Sequence, residues 1–178
     1  ASGIRSTPTS LEFPWDDGNG PIIWQSRPDH PKGDAKYLFP RGAKVGFNKL
    51  RDQDDTSPLA IIEGTKQGWA GLSYLPAHMA IYAMAGCHGY THADLSVAEG
   101  REVFLMLDAD CSTNPAVYAA AEALTKKLKL HGAKSVSYVE TTGEASDGLD
   151  DVLAALPEGK RASMLRTWLA AAPAKLGK

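Results

Sequence analysis

EVFLMLDADCSTNPAVYAAAEALTKKLKLHGAKSVSYVE, residues 102–140, reads as strand, turn, helix and strand in succession. EVFLML (102–107) is a short apolar run, as expected for a strand buried on both faces. NPAVYAAAEALTKKLKLHG (114–132) follows as the clearest helix of the chain. Asn114 can cap its first turn, Pro115 suits the first helical position, and Gly132 can stop it. KSVSYVE (134–140) is the next strand. The same alternation holds upstream. LAII (59–62) is a continuous apolar run, GTKQGWAGLSYL (64–75) a helix, and MAIYAMA (79–85) a strand. DDVLAAL (150–156) and ASMLRTWLAAA (162–172) close the chain as helices. This order predicts an α/β fold with a mostly parallel sheet flanked by helices.

Residues 1–57 differ. They are rich in Pro, Gly and Asp and lack a long helical pattern. PIIWQSRPD (21–29), KYLFPRG (36–42) and KVGFN (44–48) read as strand and turn material, and RDQDDTSP (51–58) as a polar linker. The expected organisation is a small β-rich N-terminal subdomain over 1–57 and an α/β domain with C-terminal helices over 58–178.

The chain has 178 residues, is 43% hydrophobic and carries a net charge of −2. That apolar content argues against disorder, and the charge gives no global basic field, so a nucleic-acid partner would need a local patch or a metal. No membrane span and no signal peptide is evident, and Cys87 and Cys111 lack metal-site spacing; a reducing cytoplasm is the expected setting.

The carboxylates carry the chemistry. Glu63 follows the first buried strand directly, and Gly64 lets the chain turn into the helix. Ligands of open parallel sheets bind at the carboxyl ends of strands. Asp108 and Asp110 end the third strand; two residues apart on a strand, they would share a face with Cα atoms roughly 6.6 Å apart. Two such carboxylates repel unless a cation lies between them, and oxygen ligands select Mg²⁺ or Mn²⁺. Asp150 and Asp151 can add an acidic edge or cap the helix that follows. Arg27, Lys36, Arg41 and Lys44 make the N-terminal part locally basic, with Trp24, Tyr37 and Phe39 interleaved, a mixture suited to a single strand. His88 and His92 have a spacing that could bind zinc on a helix, but Gly89 argues for a loop. KKLK (126–129) reads as the solvated side of its helix, and the cysteines as thiols without a nucleophilic role.

A glutamate after the first strand and D-x-D after the third, here LAIIEGTKQG and EVFLMLDADCSTN, resemble the Toprim domain of bacterial-type primases, topoisomerases and related nucleases. SRPDHPKGDAKYLFPRG (26–42), the E-G-x-K of Glu63 to Lys66, and DGLDDVLAAL are similar to the Toprim-like primase domains of phage, plasmid and integrated-element replication proteins. The resemblance covers about 21–155. It implies nucleotidyl transfer with Glu63, Asp108 and Asp110 catalytic. Those three and Asp151 would hold Mg²⁺ or Mn²⁺, and Glu63 could also act as general base. Lys66, Arg27, Lys36 and Arg41 would meet nucleotide or nucleic acid. The implied partners are single-stranded DNA or RNA and nucleoside triphosphates. Zinc-ribbon cysteines and a Walker motif are absent from the sequence, so zinc-binding or helicase modules are expected elsewhere in a longer parent protein. A metal-dependent nuclease and a non-catalytic docking module are the competing readings. Outside the family stand a D-x-D nucleotide-sugar enzyme and a receiver domain, the latter disfavoured because no acidic pair follows the first strand.

Overall fold

The computed structural model describes residues 3–175 apart from 19, 32, 34 and 142–146. Two sheets form. The smaller is antiparallel, with strands β1 (Arg5–Ser6), β2 (Ser10–Trp15) and β3 (Ile23–Pro28) in that order. The larger contains β4 (Asn48–Arg51), β5 (Leu59–Glu63), β6 (Ala80–Met84), β7 (Glu102–Met106) and β8 (Ser135–Tyr138), ordered β4-β6-β5-β7-β8. Strands β6, β5, β7 and β8 are parallel, and β4 pairs antiparallel on the edge of β6. The helices are α1 (Thr65–Tyr74), α2 (Pro115–Leu130), α3 (Leu149–Ala154) and α4 (Glu158–Ala171). The α/β architecture and the small β-rich N-terminal sheet are those the patterning predicts.

Strand β5 lies at the centre, which explains its unbroken apolar run: Leu59 to Ile62 are fully buried. The pleat sends alternate residues to opposite layers. Leu59, Ile61, Tyr82 and Leu105 pack with Leu124 and Leu128 of α2. Ala60, Ile62, Ile81 and Met106 pack with Leu149, Leu153 and Leu165 of α3 and α4. Helix α1 joins this second layer at close range. A Cβ at Gly71 would stand 2.3 Å from Ile62 Cδ1, so a side chain there would push α1 off the sheet. Helix α2 begins as its sequence predicts, with the Asn114 side chain accepting from the Ala116 amide and Pro115 at the first position.

Two readings of the N-terminal part change. Of KYLFPRG, Leu38 alone makes a strand-like contact, one antiparallel bridge to Ser26. Residues 48–51, read with the N-terminal segment and the polar linker, instead form the antiparallel edge of the larger sheet. Asn48 ties this edge strand to the small sheet. It is 1% exposed; its side chain accepts from the Asp16 amide at 2.9 Å and donates to the Pro14 carbonyl at 3.0 Å. Trp15, also buried, donates from its indole to the Gly46 carbonyl. The Thr65 hydroxyl donates to the buried Gln25 side chain, tying α1 to β3. These polar ties hold the small sheet over the carboxyl end of the large one.

Candidate active-site cleft

Glu63 is the last residue of β5. Gly64 (φ 84°) turns the chain into α1, and its amide donates to the Met84 carbonyl at 2.8 Å. Apolar strands on both sides leave Glu63 9% exposed, and its Oε2 makes no hydrogen bond. Burial chiefly, then the charge of Asp108 and to a lesser degree that of Asp110, push its carboxyl up to about 7; the Asp108 and Cys87 amides pull the other way.

Asp108 and Asp110 do not continue the strand. Strand β7 ends at Met106, and a 3₁₀ turn spans Ala109–Ser112. The expectation that both aspartates extend from one strand on a shared face is therefore corrected. The chain must bend here to reach the start of α2, and Asp110 serves that bend. Its carbonyl accepts from the Thr113 and Asn114 amides, and its Oδ2 accepts from Asn114 Nδ2 at 2.9 Å. Asp108 instead faces α1. Burial first, and then Asp110, raise its pKa against a hydrogen bond from Gln67 that lowers it.

Gln67 is the residue the sequence reading missed. Its Nε2 donates to Asp108 Oδ1 at 2.5 Å, and its Oε1 accepts from the Leu149 amide at 3.0 Å. One buried amide thus links the end of β7 to the first turn of α3. Gly148 makes room for it: a Cβ there would lie 2.4 Å from Gln67 Nε2. A signal was available, because Gln67 falls in the first turn of the helix that follows Glu63 across Gly64 and so starts at the same sheet edge.

A cleft of about 290 Å³ opens over these groups. Glu63, Lys66, Asp108, Asp150 and Asp151 line it from the large sheet and its helices, and Arg27 and Lys36 from the small-sheet side. Lys66 Nζ pairs with Asp150 Oδ2 at 2.6 Å. Asp151 accepts from the Gly148 amide at 3.4 Å, as a residue in the first turn of a helix does. The fold therefore gathers six of the eight residues given a site role, Glu63, Asp108, Asp151, Lys66, Arg27 and Lys36, in one cleft, with Asp150 beside them. Asp110, turned to Asn114, and the exposed Arg41 are not among its lining residues. Trp24 lies elsewhere, beneath the Arg5 guanidinium at 3.6 Å.

Among the described residues, no three His, Cys, Asp or Glu side chains form a ready metal-ligand group. Two observations nevertheless fit a hard cation: the unpartnered Glu63 Oε2, and the burial and crowding of carboxylates that raise Glu63 (burial first, then Asp108) and Asp108 (burial first, then Asp110). Asp110 would have to leave Asn114 to join them. His88 and His92 line a neighbouring groove. Both cysteines are free, and burial pushes the Cys111 thiol up to about 12 and Cys87 upward too, so neither is primed as a thiolate. Lys126, Lys127 and Lys129 lie exposed on α2, as read.

The α/β fold is similar to that of solved primase domains. A crystal structure of the Aquifex aeolicus primase, comprising zinc-binding and RNA polymerase domains, superposes with a TM-score of 0.61 at 13% identity, over 96% of this chain and 44% of that one. A DNA primase domain from Pseudomonas aeruginosa superposes with a TM-score of 0.58 at 15% identity, over 95% of this chain and 56% of that one. The chain thus spans about half the length of the primase structures it matches. No family model and no curated protein matches its sequence. No helix among the described residues is long and apolar enough to cross a membrane.

Proposed function

We propose that this chain is the Toprim-type catalytic portion of a primase from a mobile-element replication protein, joining nucleotides on a single-stranded template with Mg²⁺ or Mn²⁺. The observation that carries the reading is the buried carboxylate of Glu63 beside Asp108, its Oε2 without a hydrogen bond, at the carboxyl ends of neighbouring parallel strands and facing Arg27 and Lys36 across the cleft. Glu63 and Asp108 would hold the cation, with Asp110 and Asp151 at its margin. When bound, the metal would stabilise charge on the entering and leaving oxygens of the transfer.

The chain's own groups supply the rest. A primer hydroxyl oxygen attacks the α-phosphorus of a triphosphate and pyrophosphate leaves. Glu63 either joins Asp108 at the cation, which would lower its pKa, or, left unligated with a carboxyl pushed up to about 7, accepts the hydroxyl proton. Lys66, Arg27 and Lys36 offset phosphate charge, with Lys66 exchanging Asp150 for phosphate. Gln67 keeps Asp108 aimed into the cleft.

The test is synthesis on single-stranded DNA from labelled nucleotides with Mg²⁺ or Mn²⁺, run on this chain and on its longer parent. Glu63→Gln and Asp108→Asn each lower the rate about 10²–10⁴-fold while the fold persists. Native rates in both variants would replace this reading with a non-catalytic docking module, which the turn of Asp110 toward Asn114 favours. Cleavage of the DNA in place of synthesis would assign the same carboxylates to a nuclease.

A further inference from the structure

Beside the charged cleft lies a larger groove of about 600 Å³. The two share the wall made by Tyr37, Gly64, Thr65 and Gly86. Their chemistry differs sharply. The cleft is lined by seven charged side chains, whereas no Asp, Glu, Lys or Arg is among the described residues that line the groove. On the small-sheet side its wall is Tyr37, Phe39, Ala43 and Val45; facing them are Gly86, His88, Thr91 and His92.

The aromatic wall is held from behind. Phe39 meets the buried Trp15 edge-on, with centroids 4.9 Å apart and planes at 89°. Tyr37 leans on the buried Phe13 at 6.1 Å. Rings fixed in this way lose little freedom when a planar ligand settles on them. The volume lies in the range of small-molecule sites, and Thr91, His88 and His92 bring hydrogen-bonding groups to its lining. With a cation held among its four carboxylates, and Arg27, Lys36 and Lys66 beside them, the cleft suits a phosphate chain, and the uncharged groove suits a planar ring joined to it within one short molecule. A nucleotide has that form.

We propose that the groove is the nucleoside half of a two-part nucleotide site, with the base lying against Tyr37 and Phe39 and the phosphates passing the shared wall into the charged cleft. Its phosphate half rests on the function proposed above; its nucleoside half does not. The groove therefore binds a nucleoside that carries no phosphate.

Calorimetric titration with adenosine, inorganic triphosphate and ATP, the last two with Mg²⁺, separates the halves. Ala43→Trp and Thr91→Trp fill the groove from opposite walls at exposed positions. Each is expected to weaken adenosine and ATP about tenfold or more, within the range of one lost base stack, while leaving triphosphate unchanged. The proposal is overturned if adenosine does not bind the native chain at about 1 mM, a weak affinity for one ring. It is equally overturned if ATP and triphosphate weaken by the same factor, or if neither variant affects ATP. Adenosine binding that both variants abolish, on a chain that ignores triphosphate, would keep the groove and remove the phosphate reading. Should either variant fail to fold, adenosine titrated onto the native chain must shift the ring-proton resonances of His88 and His92; unmoved histidines would overturn the proposal.

Discussion

Glu63→Gln should make the metal-free protein more stable at pH 8 and leave it unchanged near pH 4. Glu63 is 9% exposed, and its pKa is raised from 4.5 to about 7. Between those two values the folded chain holds a proton that the unfolded chain has released. Stability contributed by this group therefore falls as pH rises from about 4.5 to about 7 and is level above. A shift of about 2.5 units at 1.36 kcal/mol each amounts to about 3 kcal/mol, an upper figure because the unfolded reference is idealised. Glutamine is nearly isosteric and carries no charge, so it escapes the penalty. Urea denaturation of both proteins in EDTA, in steps from pH 4 to pH 8.5, measures the difference directly. The midpoints should coincide at the acid end and diverge by up to about 3 kcal/mol at the alkaline end. Parallel curves, or a variant less stable at pH 8, would show that Glu63 is comfortably solvated or already paired, and the argument from its unpartnered oxygen would collapse.

Replacing Gln67 by Leu removes a hydrogen bond to a carboxylate and strands the Leu149 amide, which should lower stability by about 2–4 kcal/mol in the same urea assay; a loss under about 0.5 kcal/mol would mean that the bridge is dispensable. A cation bound at Glu63 and Asp108 at a hundredfold excess over its Kd adds about 2.7 kcal/mol, so Mn²⁺ should raise the native Tm by about 5–10 °C. The Asp108→Asn variant should respond much less, and an equal response would move the metal elsewhere. Arg27→Ala combined with Lys36→Ala should weaken single-stranded DNA binding and flatten its log–log salt slope by about 1.4, the value for two phosphate contacts; an unchanged slope would take the strand off this side of the cleft.

Local patterning determined the secondary structure of the α/β part and the position of Glu63 at the carboxyl end of the sheet. Unbroken apolar runs such as LAII can be buried only between two layers, and Asn114–Pro115 start a helix by rules that act within one turn. Glu63 was legible for a related reason, since a charged residue directly after such a run must meet an opening. What distance in the chain conceals, the tertiary structure decided. Strand β4 joins the large sheet by pairing with β6, thirty or more positions on, while Asn48 ties it to the small sheet. Asp110 leaves the face of Asp108 because the turn into α2 demands its oxygens. Gln67 gains its part from Leu149, 82 residues on, and Lys66 from Asp150, 84 residues on. Sequence periodicity reports which face a residue occupies on its own element; what it meets across a cleft depends on how the elements pack, and side chains far apart in the chain are brought together only by that packing.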